Sequence, residues 1–372
     1  MRIIILVRIL ATQGRPKLAA AEALELSKLG HDVELVFLRK SEKMSGYSDI
    51  LSGVKHKILT NHNDSPLVPL YDYITGLFMP DRKGDLRIDY NLIRKFPGYV
   101  GKIRPDLLIC HDQFAGLAGY YAYRKFGTKY CVYIDERLSR FKGVLGFMAN
   151  RYERKVVRHA VRVFAITPKV SDSIKDKHGV NAAVNFQGFG YPDFVDYEQK
   201  KNLLISVTAW DSGRRPQIYL DIIKSLPDYK LLMVGNWRSA ALREEFLATA
   251  KTMDVENRVE VISGVDELTL SNLYNMSKFS VRFGFGEYGS PSGLTEAMRH
   301  GLPVIVNEDL GLSDLIREAE SGLVIDRISA KTIAEWIDSV DNRREYTHLQ
   351  MNSILLAKKY TWETHARKFI LD

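Results

Sequence analysis

Apolar residues along this chain gather in short continuous runs, and between the runs they recur at helical spacing. Arg2 to Arg8 is the first run; a loop with Gly14, a helical pattern from about Pro16 to Leu29 and a closing Gly30 lead to the second, Asp32 to Leu38. That is a strand–helix–strand unit and predicts a parallel sheet. The turn lacks the G-x-G-x-x-G spacing of dinucleotide sites, which counts against an NAD enzyme. From Arg39 to about Asp89 short apolar pieces alternate with Ser, Asn, Asp, Gly and Pro clusters, so loops and short elements around a cleft are expected there.

The alternation then resumes. A helix near Tyr90 to Lys102 precedes a strand ending in Cys110-His111, Ala115 to Phe126 is helical, and Lys129 to Ile134 is a strand followed by Asp135-Glu136-Arg137. Leu138 to Ala160 is a basic helical stretch, Val161 to Ile166 a strand, Pro168 to His178 a helix and Ala182 to Phe186 a further extended piece. The polar run Asp193 to Asn202 reads as a linker. A second α/β series follows it: Leu203 to Val207, a loop Ala209 to Pro216, a helix to Ser225, then Tyr229 to Gly235, Ala240 to Met253 and Val259 to Ile262. Ligands of open parallel sheets bind beyond the carboxyl ends of strands, where His111, Asp112, Asp135 and Glu136 stand.

Phe283 to Asn307 carries the densest chemistry. A glycine-rich loop feeds a short helix and then a buried strand, and the first turn of a helix offers amides and partial positive charge to an anion such as phosphate. The pattern makes Ser292 the N-cap, puts the amides of Gly293 and Leu294 in the first turn, and ends the helix at Gly301. Glu296 beside a diphosphate would be repelled, so its fitting partner is a ribose diol, and Glu287 can accept from other hydroxyls in the same way. A nucleotide sugar carries all these groups; glycine-rich turns also occur for packing alone.

Composition narrows the class. With 372 residues and 45% hydrophobic content the chain can bury two cores. No apolar run is long enough for a membrane span, and the N-terminal IIILV run lacks a cleavage site, which argues against insertion and export. Cys110 and Cys131 read as packing thiols in a reducing cytoplasm. A net charge of +8 points to an anionic partner: phosphate, membrane surface or nucleic acid. Nucleic acid is the weakest of these, since no zinc, RNA-recognition or basic-zipper pattern is present.

The run Glu287 to Gly301, with Glu296-Ala297-Met298, Gly301-Leu302-Pro303-Val304 and Ser321-Gly322-Leu323-Val324, resembles the signature of retaining family 4 glycosyltransferases of the GT-B fold. Glu287 lies one residue further from Glu296 than the family spacing, and Tyr288 occupies the strict position. The resemblance implies two Rossmann-like doubly wound domains facing a central cleft: an acceptor domain over 1–190, a linker over 191–202, a donor domain over 203–358, and a C-terminal helix over 359–372 returning to the first domain. It implies transfer of a sugar from a nucleoside diphosphate to a hydroxyl acceptor, without metal or other cofactor. Asp135, Arg214 and Glu287 are then the catalytic residues, and Gly14, Arg214, Arg215, Gly264, Ser292, Gly293, Leu294 and Glu296 bind the donor. Asp135 stands where the family has a histidine, with His111 as the alternative; Arg214 stands at a lysine position and Ala209 at an arginine position, for which Arg215 can substitute. A nucleotide-sugar epimerase, a pyridoxal-dependent phosphorylase and a noncatalytic sugar-nucleotide-binding subunit stay open.

The stretch Leu138 to Arg162 bears on the acceptor. Phe141, Leu145, Met148, Tyr152 and Val156 recur at helical spacing among Arg140, Lys142, Arg151, Arg154, Lys155 and Arg158. Such a segment fits either a core stripe or an anionic lipid surface, and the second makes the protein peripheral to the inner face of the cell membrane with a lipid-linked or cell-envelope acceptor.

Overall fold

The computed structural model describes residues 1–11, 14–41, 51–61, 89–136 and 143–370, apart from the side chains of 143–146, 148 and 149. The chain divides into two compact units, Met1–Gln187 with Trp362–Asp372, and Gly188–Thr361. Each is an open parallel sheet between helices, which is the α/β, doubly wound, Rossmann-like architecture expected from the pattern.

The first unit runs β1 (Arg2–Leu10), α1 (Arg15–Lys28), β2 (Asp32–Lys40), β3 (His56–Thr60), α2 (Tyr90–Ile103), β4 (Leu107–His111), α3 (Asp112–Phe126), β5 (Lys129–Ile134), α4 (Gly143–His159), β6 (Arg162–Ala165), α5 (Pro168–His178) and β7 (Ala183–Val184). Among the described residues the sheet order is β3-β2-β1-β4-β5-β6-β7. Ile3 to Leu6 are all fully buried, as a strand covered on both faces requires. Strand β3 lies within the segment that shows little periodicity, because it is a half-buried edge; residues 42–50 and 62–88 of that segment lie outside the described residues. Cys110 and Cys131 are free and buried, and burial raises both thiol pKa values, that of Cys131 to about 11.

The second unit runs β8 (Lys201–Val207), α6 (Ile218–Lys224), β9 (Lys230–Val234), α7 (Ala240–Thr252), β10 (Val259–Ile262), α8 (Glu267–Met276), β11 (Ser277–Arg282), α9 (Ser292–Arg299), β12 (Val304–Asn307), α10 (Ser313–Glu318), β13 (Gly322–Ile325), α11 (Ala330–Val340) and α12 (Arg343–Lys359), and then α13 (Trp362–Arg367) belongs to the first unit. Its sheet order is β10-β9-β8-β11-β12-β13. The run 193–202, expected as a linker, is packed on this unit. The Asp193 amide donates to the Arg299 carbonyl (3.0 Å), and the Lys200 ammonium, buried and pushed down to about 7, donates to the carbonyls of Asn275 and Ser277.

Helix α13 packs on α1, and its His365 anchors it. The His365 Nδ1 donates to the Phe186 carbonyl (2.8 Å) and Nε2 to the fully buried Glu22 carboxylate (2.6 Å), whose second oxygen accepts from His111 Nε2 (2.7 Å). Burial alone would raise the Glu22 carboxyl, but the charge and hydrogen bonds of the two imidazoles outweigh it and hold it at about 2.

The two strand orders place a topological switch point between β1 and β4 in one unit and between β8 and β11 in the other. Among the described residues no helix is long and apolar enough to cross a membrane.

Candidate functional site

In the second unit the loops after β8 and β11 meet beyond the switch point. The β8 loop is fixed from behind: the Trp210 amide donates to the Asn236 carbonyl (2.9 Å), the Arg238 amide to the Trp210 carbonyl (2.9 Å), and the Trp210 ring stacks on Trp237 at 5.7 Å. Arg214 ends a short 3-10 turn there, and its guanidinium is ion-paired with the Glu287 carboxylate. Arg215, in left-handed backbone (φ 48°), lays its guanidinium over the Phe285 ring at 4.3 Å. Two neighbouring arginines thus grip the glycine-rich loop at two points. The loop has its own props: the Asn307 side chain accepts from the Gly284 amide (2.8 Å) and donates to the Gly284 carbonyl (2.7 Å). Arg282, 3% exposed at the end of β11, donates from Nη2 to Glu287 Oε2 (2.7 Å).

Helix α9 starts one residue differently from the expectation. Pro291 is its N-cap, with no side-chain cap, and Ser292 is the first helical residue, so Ser292 does not cap. The Leu294 amide donates to the Pro291 carbonyl (3.0 Å), which closes the turn. Gly293 is required by packing: a Cβ there would stand 2.6 Å from the Val207 carbonyl oxygen at the end of β8. Gly301 follows the helix with φ 66°, as the C-terminal stop predicted. Glu296, half-buried, lies beside the Tyr274 hydroxyl, which donates to the Gly293 carbonyl (2.8 Å); burial first and then the Glu296 charge push the tyrosine pKa well up. Gly264 follows β10 in left-handed backbone (φ 70°) with open space where a side chain would be.

In the first unit the switch point holds a second ion cluster. Gly14 (φ 74°) leads into α1, whose first residue, Arg15, donates from Nε and Nη2 to both oxygens of Asp135 (2.5 and 2.8 Å) and from Nη1 to Asp112 Oδ2 (2.7 Å). Asp112 Oδ1 accepts the amides of Phe114 and Ala115 at the start of α3, and its own φ is 78°, a conformation that L residues rarely hold. Burial lowers the Arg15 pKa and the two carboxylates outweigh it, so the net shift is upward. Behind lies Arg39, paired with the buried Asp89 (2.9 Å). His111 is 1% exposed and bound to Glu22, so the alternative in which it reaches a ligand is excluded by its place in the core.

Gly14 and Asp135 therefore belong to the first unit, and Arg214, Arg215, Gly264, Glu287, Ser292, Gly293, Leu294 and Glu296 to the second. Among the described residues no group of three His, Cys, Asp or Glu side chains is placed to hold a metal ion.

The family model for Glycosyl transferases group 1 matches residues 191–352, and that for Glycosyltransferase Family 4 matches residues 17–184. The chain belongs to the family 4 glycosyltransferases. It is 29% identical over 155 residues to a sucrose synthase of Acidithiobacillus caldus, an overlap of 37% of this chain, and it spans 19% of the length of that relative. Its fold is similar to that of Anabaena HepE solved with UDP and glucose (15% identity, TM-score 0.76, 100% of this chain and 98% of that one). It is similar also to the apo lipopolysaccharide outer core galactosyltransferase WaaB (15% identity, TM-score 0.67, 100% and 98% of the two chains). At these identities the two likenesses show a shared GT-B fold.

Four residues of this family 4 glycosyltransferase escaped the reading of the sequence: Arg15, Arg282, Asn307 and Glu22. Arg282 and Asn307 end strands beside the expected loop, so a polar residue at the carboxyl end of a buried strand was the available signal. Arg15 and Glu22 carry no local signal, because their partners are 89 or more positions away in sequence.

Proposed function

We propose that the protein is a retaining glycosyltransferase that moves a sugar from a nucleoside-diphosphate sugar to a hydroxyl of a lipid-linked or cell-envelope acceptor. The observation that carries this reading is the placement of Arg214 at the β8–β11 switch point, on the same edge of the sheet as the first turn of α9. HepE was solved with UDP and glucose, which supports a nucleotide sugar as donor. As the bond from the anomeric carbon to the diphosphate oxygen breaks, its electron pair passes to that oxygen. Arg214 faces the growing charge, and fixed donors of this kind lower such barriers most. The acceptor oxygen bonds to the anomeric carbon on the same face, and its proton leaves with the diphosphate. Glu296 holds the ribose diol and Gly264 borders the base. No cofactor takes part.

The acceptor reading rests on α4 and on the lipopolysaccharide substrate named for WaaB. Arg151, Arg154 and Arg158 are exposed along α4, with Phe147 68% exposed on the same stripe, while Tyr152 is half-buried and Val156 is core. The segment 138–142, with Arg140, Phe141 and Lys142, and the side chains of Leu145 and Met148 lie outside the described residues. Each arginine near an anionic bilayer contributes about 1 kcal/mol, less at high salt. On this reading the protein works in the cytoplasm, at the inner membrane face.

A melting-temperature screen of UDP-, GDP-, ADP- and dTDP-sugars tests the donor, since a ligand bound only by the folded state raises the transition. Labelled donor with membrane extract then tests transfer. A stabilising nucleotide sugar with no labelled product would indicate a binding subunit; free epimerised sugar would indicate an epimerase. Pelleting with anionic but not neutral liposomes, lost at high salt, is the expected membrane result.

A further inference from the structure

We propose that Glu287 is a positioning residue and not a sugar contact: backed by Arg282, it holds the Arg214 guanidinium at the switch point for the donor diphosphate. The inference rests on the glycosyltransferase reading above and assigns Glu287 a different task from the hydroxyl acceptor that its sequence position implies.

Both carboxylate oxygens of Glu287 are engaged, Oε1 by Arg214 and Oε2 by Arg282 at 2.7 Å. The three side chains are 14%, 18% and 4% exposed, so the pairs are shielded from water and salt, where charge-assisted hydrogen bonds are strong and directional. Arg282 is the fixed end of the relay. It closes β11 inside the sheet, and its Nη1 donates to the Phe283 carbonyl, so its position is set by the fold rather than by the loop. Tyr219, whose hydroxyl accepts the Phe283 amide (3.3 Å), adds to the same support. Glu287 is the middle member, on a loop pinned at Gly284 by Asn307. Arg214 is the outer end, on a 3-10 turn whose next residue grips Phe285.

The charge balance agrees with this assignment. A bare carboxylate facing a diphosphate would repel it, whereas one carboxylate between two guanidiniums leaves a net positive cluster that attracts it. An arginine held in one rotamer before the ligand arrives loses less freedom on binding. Glu287 can supply that order only while its oxygens stay on the arginines. A sugar hydroxyl would have to compete with a guanidinium for either one.

Calorimetric titration of the full chain with free UDP, GDP and ADP, and with the glucose conjugate of each, separates the two roles. Free diphosphate lacks the sugar, so a sugar contact and a positioning residue give different patterns. The expected result is that Glu287→Gln weakens free diphosphate and conjugate by the same factor, about tenfold for one charge-assisted pair. In an Arg214→Ala background Glu287→Gln then has no further effect, because its action runs through the missing arginine. Glu287→Asp, which keeps the charge at shorter reach, repeats the test if the glutamine variant does not fold. Loss confined to the glucose conjugate, or full additivity with Arg214→Ala, would overturn the inference and leave the donor reading standing. Wild-type protein that binds none of the six ligands would overturn both at their common root.

Discussion

At both switch points an arginine that follows the first strand of its unit meets a carboxylate that follows the fourth, and the charge balance is inverted between the two. In the first unit one guanidinium, Arg15, sits between Asp112 and Asp135. In the second one carboxylate, Glu287, sits between Arg214 and Arg282. Counted over these three side chains, the first has one negative charge to spare, tempered by the buried Arg8 whose charge acts on Asp112, and can accept from groups such as sugar hydroxyls; the second has one positive charge to spare and suits a diphosphate. They also differ in how they are held. Asp112 is tied into the start of α3 by two backbone amides, whereas Glu287 stands on a glycine-rich loop propped by side chains. The same sheet topology therefore supports opposite electrostatics, and what decides between them is which residue types lie at the strand ends.

The comparison breaks most visibly at Asp112. Asp112→Ala removes one carboxylate of a buried cluster and a helix cap, and is expected to lower the unfolding free energy by about 3–5 kcal/mol in urea titration. Arg214→Ala tests the opposite cluster: turnover in the membrane-extract assay is expected to fall about 10²–10³-fold with a smaller change in donor affinity, since its charge acts on the departing diphosphate. Equal losses in both would make it a ground-state contact.

Acid should distinguish the units further. Glu22 has its folded pKa held at about 2, below the usual value of 4.5, so its stabilisation is present above pH 4.5 and is lost as pH falls toward 2. A shift of this size is worth on the order of 3 kcal/mol. Urea unfolding at pH 7 and pH 3 is expected to show about 2 kcal/mol of that loss, and Glu22→Gln is expected to flatten this part of the slope. Glu296→Ala should weaken the nucleotide sugar about tenfold, on the order of 1.4 kcal/mol, without changing the melting temperature of the free protein. Unchanged calorimetric affinity would return it to an ordinary helix-surface glutamate. The smallest effect is expected for Arg215→Ala, about 0.5–1 kcal/mol of stability from its partly exposed cation–π contact, with turnover close to wild type.

How much of this was legible follows from distance along the chain. The β1–α1–β2 opening and the loop, helix and strand from Phe283 to Asn307 were readable, because hydrophobic period, a C-terminal glycine and a following proline are local signals. Ser292 was misplaced by one position because proline at the N-cap leaves the cap to backbone geometry. Strand β3 was missed because an edge strand need not alternate cleanly when only one flank is paired.

The sequence by itself determined the α/β class, the parallel sheets and the residue types waiting at the strand ends, since each follows from the spacing of neighbours along a chain of fixed geometry. Only the tertiary structure decided which of those residues meet. Asp135 found Arg15 across 120 positions, His365 found Glu22 across 343, and Glu287 turned to two arginines rather than to open solvent. A buried charge must have a partner, and a parallel sheet brings that partner from whichever strand lies adjacent in space, which strand order sets and local sequence does not.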